Sequence, residues 1–340
     1  MSRVVERSEI NMADVARRAG VSVATVSRAM RGLPGVGEAT RARILEIADE
    51  LAYVISPEAS RLSGGQTGRV GVVVPATEKW FYGEMLAAIE RRLREADLDV
   101  LLYQVSDAEV RGRFFRDLPT RRKVDGVVLI ALPLPQHEVD RLDLLGVEVV
   151  VAGGRIKDFA HVEVDDRAIA ATAVEHLVGL GHRRIAMIRA TIYGDEHWAP
   201  DSQRLEGYLQ GLADAGIPAR EEYVVSVPFT PLDGATGAEE LLALAEPPTA
   251  ILCFSDEIAF GALQGARRSG HRVPEDVSIV GIDDHPLAAV MGLTTVRQDV
   301  AAQGEMAAEM ILRRLAHLPV KDVVEPHELV IRASTAAPPT

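Results

Sequence analysis

Residues 11–32 read NMADVARRAGVSVATVSRAMRG, and this stretch decides the fold of the N-terminal part of the chain. Asn11 is placed to cap a first helix, and Asp14 follows where a carboxylate favours the positive end of the helix dipole. Gly20 stands where that helix must end and the backbone must turn. Ser22 is placed to cap a second helix. The stretch therefore predicts a helix-turn-helix, a unit that lays its second helix in the major groove of DNA.

A third helix and a short linker follow this unit. Apolar side chains recur at helical spacing over residues 36–53, which predicts an amphipathic helix. The three helices are expected to form a small DNA-binding domain over residues 11–56. Pro57 can start a helix and the glycines after residue 63 can end one, so residues 57–67 are predicted to be a hinge helix and linker.

From Arg69 onward the pattern of the sequence changes. Short apolar runs, of which Val70–Val74 is the first, alternate with amphipathic segments such as residues 83–95. Alternation of this kind predicts parallel sheets with helices on both faces. The alternating pattern extends over roughly 270 residues, which is more than one hydrophobic core usually holds, so two α/β lobes are expected.

The composition limits the class of protein further. The 340 residues carry a formal net charge of −13, yet residues 1–69 hold ten lysines and arginines against eight acidic residues. A slightly basic head on an acidic body fits phosphate contact by the head alone. The sequence has no apolar run of 18 residues and no apolar signal stretch, and its one cysteine, Cys253, stands in an apolar run. We therefore expect a cytoplasmic protein with a core thiol.

A series of short motifs runs through nearly the whole chain. They are Asp14-Val-Ala, Ala19-Gly-Val-Ser22, Thr25-Val-Ser-Arg28, Gly181-His-Arg-Arg-Ile185, Arg204-Leu-Glu-Gly207, Ser255-Asp256 and Val273-Pro-Glu-Asp-Val-Ser-Ile-Val-Gly-Ile-Asp-Asp284. In this order they resemble the LacI/GalR family of bacterial transcriptional repressors. Each motif alone is weak, but the combination is specific.

The resemblance implies an all-α helix-turn-helix head and an α/β core of two doubly wound parallel-sheet lobes, like that of periplasmic sugar-binding proteins. It implies an effector-binding and dimerisation core over residues 68–335. The expected N-lobe covers about 68–164 and 296–318, and the expected C-lobe covers about 165–292 and 322–335. The implied partners are a palindromic double-stranded DNA operator, a small sugar-like effector and a second copy of the chain, in a dimer or a tetramer.

The resemblance also implies which residues of the head contact DNA. Val23, Ala24 and Arg28 match positions that face base edges, and the Arg28 guanidinium can pair with guanine O6 and N7. The polar residues that match phosphate-contacting positions are Ser22, Thr25, Ser27, Thr40 and Tyr53. A solvated helix face is the alternative for each of them, and the contact of Arg31 stays open.

Two residues of the hinge, Ala59 and Leu62, complete the expected DNA contacts. Leu62 matches the leucine that the family inserts between base pairs in the minor groove. Alternatively, it packs two hinge helices against each other. A ligand between the lobes is expected to move the two hinges of a dimer apart, and helices this short do not persist alone.

Candidates for the effector site follow predicted strands, because parallel α/β lobes bind ligands at the carboxyl ends of their strands. Trp80, Phe81 and Tyr82 follow the first apolar run and predict a stacking wall for a sugar or a base, with core packing as the alternative. The resemblance matches Arg204 and Asp283 to residues that donate to and accept from ligand hydroxyls. An internal ion pair is the alternative for these two. Weaker candidates are Trp198, Ser255, Asp256 and Asp165.

The sequence lacks the phosphate-loop, zinc and nucleophile motifs of common enzymes, so we expect no catalysis, no metal and no cofactor. The expected function is that of a homodimeric DNA-binding regulator that represses carbohydrate utilisation until a sugar-like effector binds. One alternative is a repressor that needs a nucleobase or sugar acid as corepressor. Others are a solute-binding protein, which the helical head argues against, and a sugar-modifying enzyme.

Overall fold

The structure is a computed structural model. It describes residues 11–30, 32–51, 53, 67–105, 108–121, 123–132, 134–143, 146–156, 158–191 and 199–339. Internal contacts divide the chain into a head, Met1–Gly68, and a core, Arg69–Thr340. No helix within the described residues is long and apolar enough to cross a membrane.

The described part of the head contains three helices, α1 (Met12–Ala19), α2 (Val23–Met30) and α3 (Glu38–Glu50). The Asn11 side chain accepts hydrogen bonds from the N–H groups of Ala13 and Asp14, and the Asp14 carboxylate accepts one from the Asn11 N–H (3.0 Å). This reciprocal cap satisfies donors that a helix N-terminus otherwise leaves free. Gly20 ends α1 in the left-handed region (φ 64°), which glycine adopts without steric cost.

The second helix begins after Ser22, as the sequence predicts. The Ser22 Oγ accepts a hydrogen bond from the Thr25 N–H (3.1 Å). Val15 of α1, Val26 of α2 and Ile44 of α3 are fully buried in one apolar cluster, so the three helices pack on one another. The helix-turn-helix and its third helix are therefore confirmed.

The N-lobe of the core is built on a parallel sheet. Its strands are β1 (Arg69–Val74), β2 (Asp99–Gln104), β3 (Gly126–Ile130), β4 (Glu148–Ala152), β5 (Ala160–Val164) and β11 (Val323–Glu325), in the spatial order β11-β5-β4-β3-β1-β2. Its helices are α4 (Trp80–Arg94), α5 (Ala108–Arg121), α6 (Gln136–Asp143) and α12 (Val300–Leu315). Val128 and Ile130 of β3 pack in the cluster with α4 and α12, whereas Val127 and Leu129 pack in the cluster with α5 and α6. Because both faces are covered, β3 is apolar throughout.

The C-lobe repeats this architecture. Its strands are β6 (Ile185–Thr191), β7 (Val224–Pro228), β8 (Ala250–Cys253), β9 (Ser278–Asp283), β10 (Thr294–Gln298) and β12 (His327–Val330), in the spatial order β12-β10-β9-β8-β6-β7. Only β12 runs antiparallel among the described strands of this sheet. Its helices are α7 (Asp166–Gly179), α8 (Ala199–Asp214), α9 (Pro231–Leu242), α10 (Asp256–Arg268) and α11 (Pro286–Met291). The two α/β lobes expected from the sequence are both present.

The described chain crosses between the lobes after β5, after β10 and after β11. Two of these crossings differ from the expected limits. Residues 296–298, expected in the N-lobe, belong to the C-lobe sheet, because β10 pairs with β9 and β12. Residues 323–325, expected in the C-lobe, form an edge strand of the N-lobe sheet, because β11 pairs with β5.

Candidate functional site

A small cavity of about 30 Å³ lies between the N-lobe and the C-lobe of the core. Its described lining residues are Phe81, Tyr82, Ala131, Gly153, Val164, Asp166, Pro200, Arg204, Phe229, Phe254, Asp283 and Gln298. Most of them end a strand or follow one directly, since the carboxyl ends of the parallel strands of both sheets face this space. The cavity therefore occupies the place where a two-lobed α/β protein binds a ligand.

Arg204 supplies the positive charge of the cavity lining. It lies on α8 with 4% of its surface exposed, and its Nε donates to Asp166 Oδ1 (2.7 Å). Its Nη1 donates to the Phe254 carbonyl (2.5 Å), and the guanidinium lies 4.4 Å from the centre of the Phe254 ring. These contacts fix the guanidinium, while its Nη2 takes part in neither hydrogen bond. Among the alternatives, an internal ion pair is thus present, but its partner is Asp166.

Asp283 supplies a carboxylate at the end of β9. Its backbone φ is 119°, a value that residues other than glycine adopt only at an energetic cost. Its Oδ1 accepts a hydrogen bond from Gln298 Nε2 (2.7 Å), and Gln298 Oε1 accepts one from Gln303 Nε2 (3.1 Å). Burial raises the pKa of Asp283 to about 7, although the Arg204 charge acts in the opposite direction. This carboxyl group can therefore exist in both protonation states near neutral pH.

Asp166 is the second carboxylate of the lining and lies at the start of α7. Burial raises its pKa above the usual value, and the Arg204 guanidinium opposes that effect. The lining thus combines one guanidinium with two carboxyl groups and an amide, a set that both donates and accepts hydrogen bonds. No cluster of three or more metal-ligating side chains occurs among the described residues.

Aromatic rings form the apolar part of the lining. Phe81 and Tyr82 of α4 meet edge to face with ring centres 5.4 Å apart. Phe229 and Phe254 of the C-lobe meet in the same way at 5.5 Å. Rings of this kind can contact the apolar C–H faces of a sugar or the plane of a base.

The structure places four expected cleft residues outside the described lining. Asp165 caps α7 by accepting a hydrogen bond from the Ala168 N–H (2.9 Å). The Trp80 ring packs 5.0 Å from the His285 ring. The Ser255 Oγ caps α10 by accepting a hydrogen bond from the Ile258 N–H. Asp256 accepts from the Thr295 hydroxyl (2.7 Å) and the His285 N–H (2.8 Å), so its carboxylate braces the loop after β9. Trp198 lies outside the described residues.

Several lining residues were not predicted from the sequence. They are Ala131, Gly153, Val164, Asp166, Pro200, Phe229, Phe254 and Gln298. The signal that could have found most of them is position, since residues such as Phe229 and Phe254 lie at the ends of predicted strands; Gln298 also ends a strand, but Thr294–Gln298 is not an apolar run. The sequence offers no comparable signal for Pro200.

The described DNA-contacting candidates of the head lie on or beside α2, except that Thr40 lies on α3 and Tyr53 follows α3. Val23, Ala24 and Arg28 are exposed, and 46% of the Val23 surface is open to solvent. The Ser22 Oγ and the Thr25 Oγ1 lie 2.8 Å apart in a hydrogen bond. Half-buried positions are occupied by Ser27, Thr40 and Tyr53. Arg31, Ala59 and Leu62 lie outside the described residues.

Comparison with known proteins identifies both parts of the chain. Residues 11–56 match the model of bacterial regulatory proteins of the lacI family, and residues 174–335 match a periplasmic binding protein-like domain. Catabolite control protein A of Priestia megaterium is 30% identical over 332 residues, which cover 96% of this chain and 99% of that protein. The chain belongs to the LacI family of bacterial transcriptional regulators. It is therefore a DNA-binding regulator of transcription, in a family made up of regulatory proteins.

Solved structures of LacI-family members share the whole architecture. The lac repressor dimer bound to operator and to the anti-inducer ONPF superposes with a TM-score of 0.84 at 25% identity, covering 97% of this chain and all of that one. A complex of the transcriptional regulator CelR with cellobiose superposes with a TM-score of 0.72 at 29% identity, covering 96% of this chain and all of that one. The helical head and the two parallel-sheet lobes are therefore the fold of the family.

Proposed function

We propose that this LacI-family regulator is a homodimeric repressor of carbohydrate utilisation that a sugar-like effector releases from a palindromic operator. The observation that carries the proposal is the pair Arg204 and Asp283, two buried side chains that line one cavity between the lobes. The cellobiose complex of CelR and the operator complex of the lac repressor dimer support the same assignment by similarity.

The cavity suits a ligand with neighbouring hydroxyl groups. Arg204 is fixed by Asp166 and by the Phe254 carbonyl, so its free N–H groups are preorganised to donate to a hydroxyl oxygen. Asp283 is held by Gln298 and accepts from the adjacent hydroxyl. The rings of Phe81 and Phe229 cover the apolar faces of the ligand.

The head reads the operator through few hydrogen bonds. Arg28 pairs with a guanine in the major groove, while Val23 and Ala24 make apolar contacts with base edges such as a thymine methyl. Phosphate contacts, which position the head, come from Ser22, Thr25, Ser27, Thr40 and Tyr53. Arg31 on the recognition side and Ala59 and Leu62 in the hinge remain predictions.

The effector acts by changing which closure of the two lobes is populated. A ligand that binds the closed arrangement more tightly shifts the population toward it, by no more than its difference in affinity for the two arrangements. Closure changes the surface through which two chains pair, and the hinge segments of the dimer separate. Short hinge helices melt once they are apart, because isolated helices of this length are unstable in water. Affinity for the operator then falls.

A thermal-shift screen of the full chain against sugars, sugar acids and nucleosides tests the proposal. A ligand that binds only the folded protein raises the unfolding midpoint. A neutral sugar is expected to raise it in the wild-type chain and not in Asp283→Asn or Arg204→Gln. Stabilisation by a nucleoside or sugar acid alone contradicts the assignment of the effector, and a hit that both variants retain contradicts the assignment of the site.

A further inference from the structure

A second concave surface lies at the edge of the C-lobe sheet opposite the effector cavity. It has a volume of about 490 Å³ and is lined where the chain enters β6 and β7, by residues such as Arg183, Arg184 and Arg220. Because β6 and β7 pair in parallel, the segments before them enter the sheet side by side. The amino ends of these strands point away from the space between the lobes, so this basic groove is distinct from the effector cavity.

The charge of the basic groove is unusual for this part of the chain. Residues 165–290 contain nine arginines and lysines against 20 aspartates and glutamates. Three of those nine line this one groove, and the groove's lining includes a single carboxylate, that of Glu246. A local positive site on an acidic lobe attracts anions while the lobe as a whole repels them.

The arginines of the basic groove are held in different ways. Arg184 Nε donates to the Pro247 carbonyl (3.0 Å), and Arg220 Nη1 pairs with Glu246 (2.5 Å). The pKa of Glu246 is lowered by the hydrogen bond and charge of Arg220 and, more weakly, by the charge of Arg184, because both guanidinium groups lie near this carboxylate. Arg183 is exposed and has no hydrogen-bond or ion-pair partner among the described residues. The basic groove is thus bordered by the free guanidinium of Arg183 and by those of Arg184 and Arg220, which are fixed but use only some of their donors.

Apolar side chains share the lining of the basic groove with these charges. They include Leu212, Ile217, Pro218 and Pro247. The Tyr223 hydroxyl donates to the Glu246 carbonyl (2.8 Å) and fixes the rim. A volume of about 490 Å³ lined by apolar side chains and a few charged groups lies within the range of sites for small molecules.

We propose that the basic groove binds a small phosphorylated metabolite. The phosphate oxygens lie between Arg183, Arg184 and Arg220, because guanidinium groups bind phosphate through paired hydrogen bonds. The carbon body of the metabolite contacts the apolar side chains of the lining. This inference is independent of the effector proposal, since the two sites share no lining residue.

Isothermal titration of the full chain at about 0.15 M salt tests the inference, because that ionic strength screens diffuse attraction between charges. Three probes separate the contributions: phenyl phosphate, inorganic phosphate and phenol. Phenyl phosphate is expected to bind with one site per chain and more tightly than inorganic phosphate, and phenol is expected not to bind. Equal affinity for phenyl phosphate and inorganic phosphate overturns the metabolite assignment, and no binding of phenyl phosphate overturns the site.

A matched pair of variants locates the binding. Arg183→Gln should weaken phenyl phosphate binding roughly tenfold, the effect of losing a charged hydrogen bond. Arg267→Gln removes the same charge from an exposed position on α10 in the same lobe and should leave the affinity unchanged. Equal weakening in both variants, or no weakening in Arg183→Gln, contradicts the groove as the site.

Discussion

The centre of the Trp80 ring lies 5.0 Å from the centre of the His285 ring, and this contact joins the N-lobe to the C-lobe. Neighbouring contacts strengthen the same junction. Lys79 Nζ lies 5.1 Å from the centre of the Phe229 ring, and the Glu257 carboxylate accepts a hydrogen bond from the Trp80 N–H. Trp80 therefore lies outside the described cavity lining, and its position suits it to hold the two lobes together.

Trp80→Ala is expected to weaken effector binding without removing any described lining residue. Loss of the aromatic contact disfavours closure, and the apparent affinity falls with the closed fraction. A weakening of about threefold to tenfold corresponds to one aromatic pair. Titration calorimetry with the sugar identified by the screen measures it. Trp80→Phe keeps a ring, so its dissociation constant should lie between those of the wild type and Trp80→Ala. An unchanged dissociation constant in Trp80→Ala contradicts a role in closure.

The raised pKa of Asp283 predicts a pH-dependent stability of the core. An aspartate in the unfolded chain titrates near pH 4, whereas Asp283 in the folded chain titrates at about 7. Between these values the folded state binds the extra proton. The contribution of this group is thus full at about pH 4 and below, and it is lost as the pH rises through 7, with a slope of at most about 1.4 kcal/mol per pH unit.

Urea unfolding of the wild type and of Asp283→Asn between pH 5 and pH 8 checks this sign. Both tryptophans of the chain lie in the core, so their fluorescence follows the unfolding of that unit. The asparagine cannot titrate and can still accept the Gln298 hydrogen bond. As the pH rises, the free energy of unfolding of the wild type should therefore fall relative to that of the variant. A constant difference across this range contradicts the assigned titration.

Asp166 and Asp165 are neighbours in sequence and should respond differently to truncation. Asp166→Ala leaves Arg204 buried without its ion-pair partner, which should lower the free energy of unfolding by about 3 kcal/mol or more. Asp165 caps α7 by accepting from the Ala168 N–H, so Asp165→Ala should cost about 1 kcal/mol. Urea unfolding measures both. Equal effects would show that the Arg204 ion pair contributes no more than a helix cap.

Arg28→Ala tests readout by the recognition helix. Loss of a bidentate contact with guanine should weaken binding of the preferred operator by roughly 1–3 kcal/mol and relax the preference at one base pair. Arg28→Lys keeps the charge but not the planar pair of donors, so it should retain binding to nonspecific DNA and still lose the preference. Fluorescence anisotropy with a matched set of single-base operator variants measures this. A lysine variant that keeps the full preference refutes bidentate readout.

The parts that the sequence predicts best depend on local signals. The Asn11 and Asp14 cap, the Gly20 turn and the alternating strands and helices of the core each follow from residues that are close in sequence. The lobe crossings were less predictable, because β11 is three residues long and its sheet is chosen by pairing with a distant strand.

Local sequence signals are also insufficient to predict which single residues line the cavity. Asp256 is adjacent to a strand end, yet its carboxylate turns to the Thr295 hydroxyl of a different strand. Gly281 leaves room for it, since a Cβ at that position would lie 2.0 Å from Asp256 Oδ1. Asp166 reaches Arg204 although 38 residues separate them in sequence. Position after a strand therefore predicts nearness to the cavity, but tertiary packing decides which side chain enters it.

The most direct test of the account measures operator affinity of the full chain with and without the stabilising sugar. Fluorescence anisotropy with an operator selected in vitro from random palindromes gives both dissociation constants. We predict that saturating sugar weakens operator binding at least about tenfold in the wild type, within the usual range of allosteric coupling, and that the ratio falls to one in Asp283→Asn. A sugar that binds the wild-type chain and leaves its operator affinity unchanged, or increases it, would contradict relief of repression through the cavity.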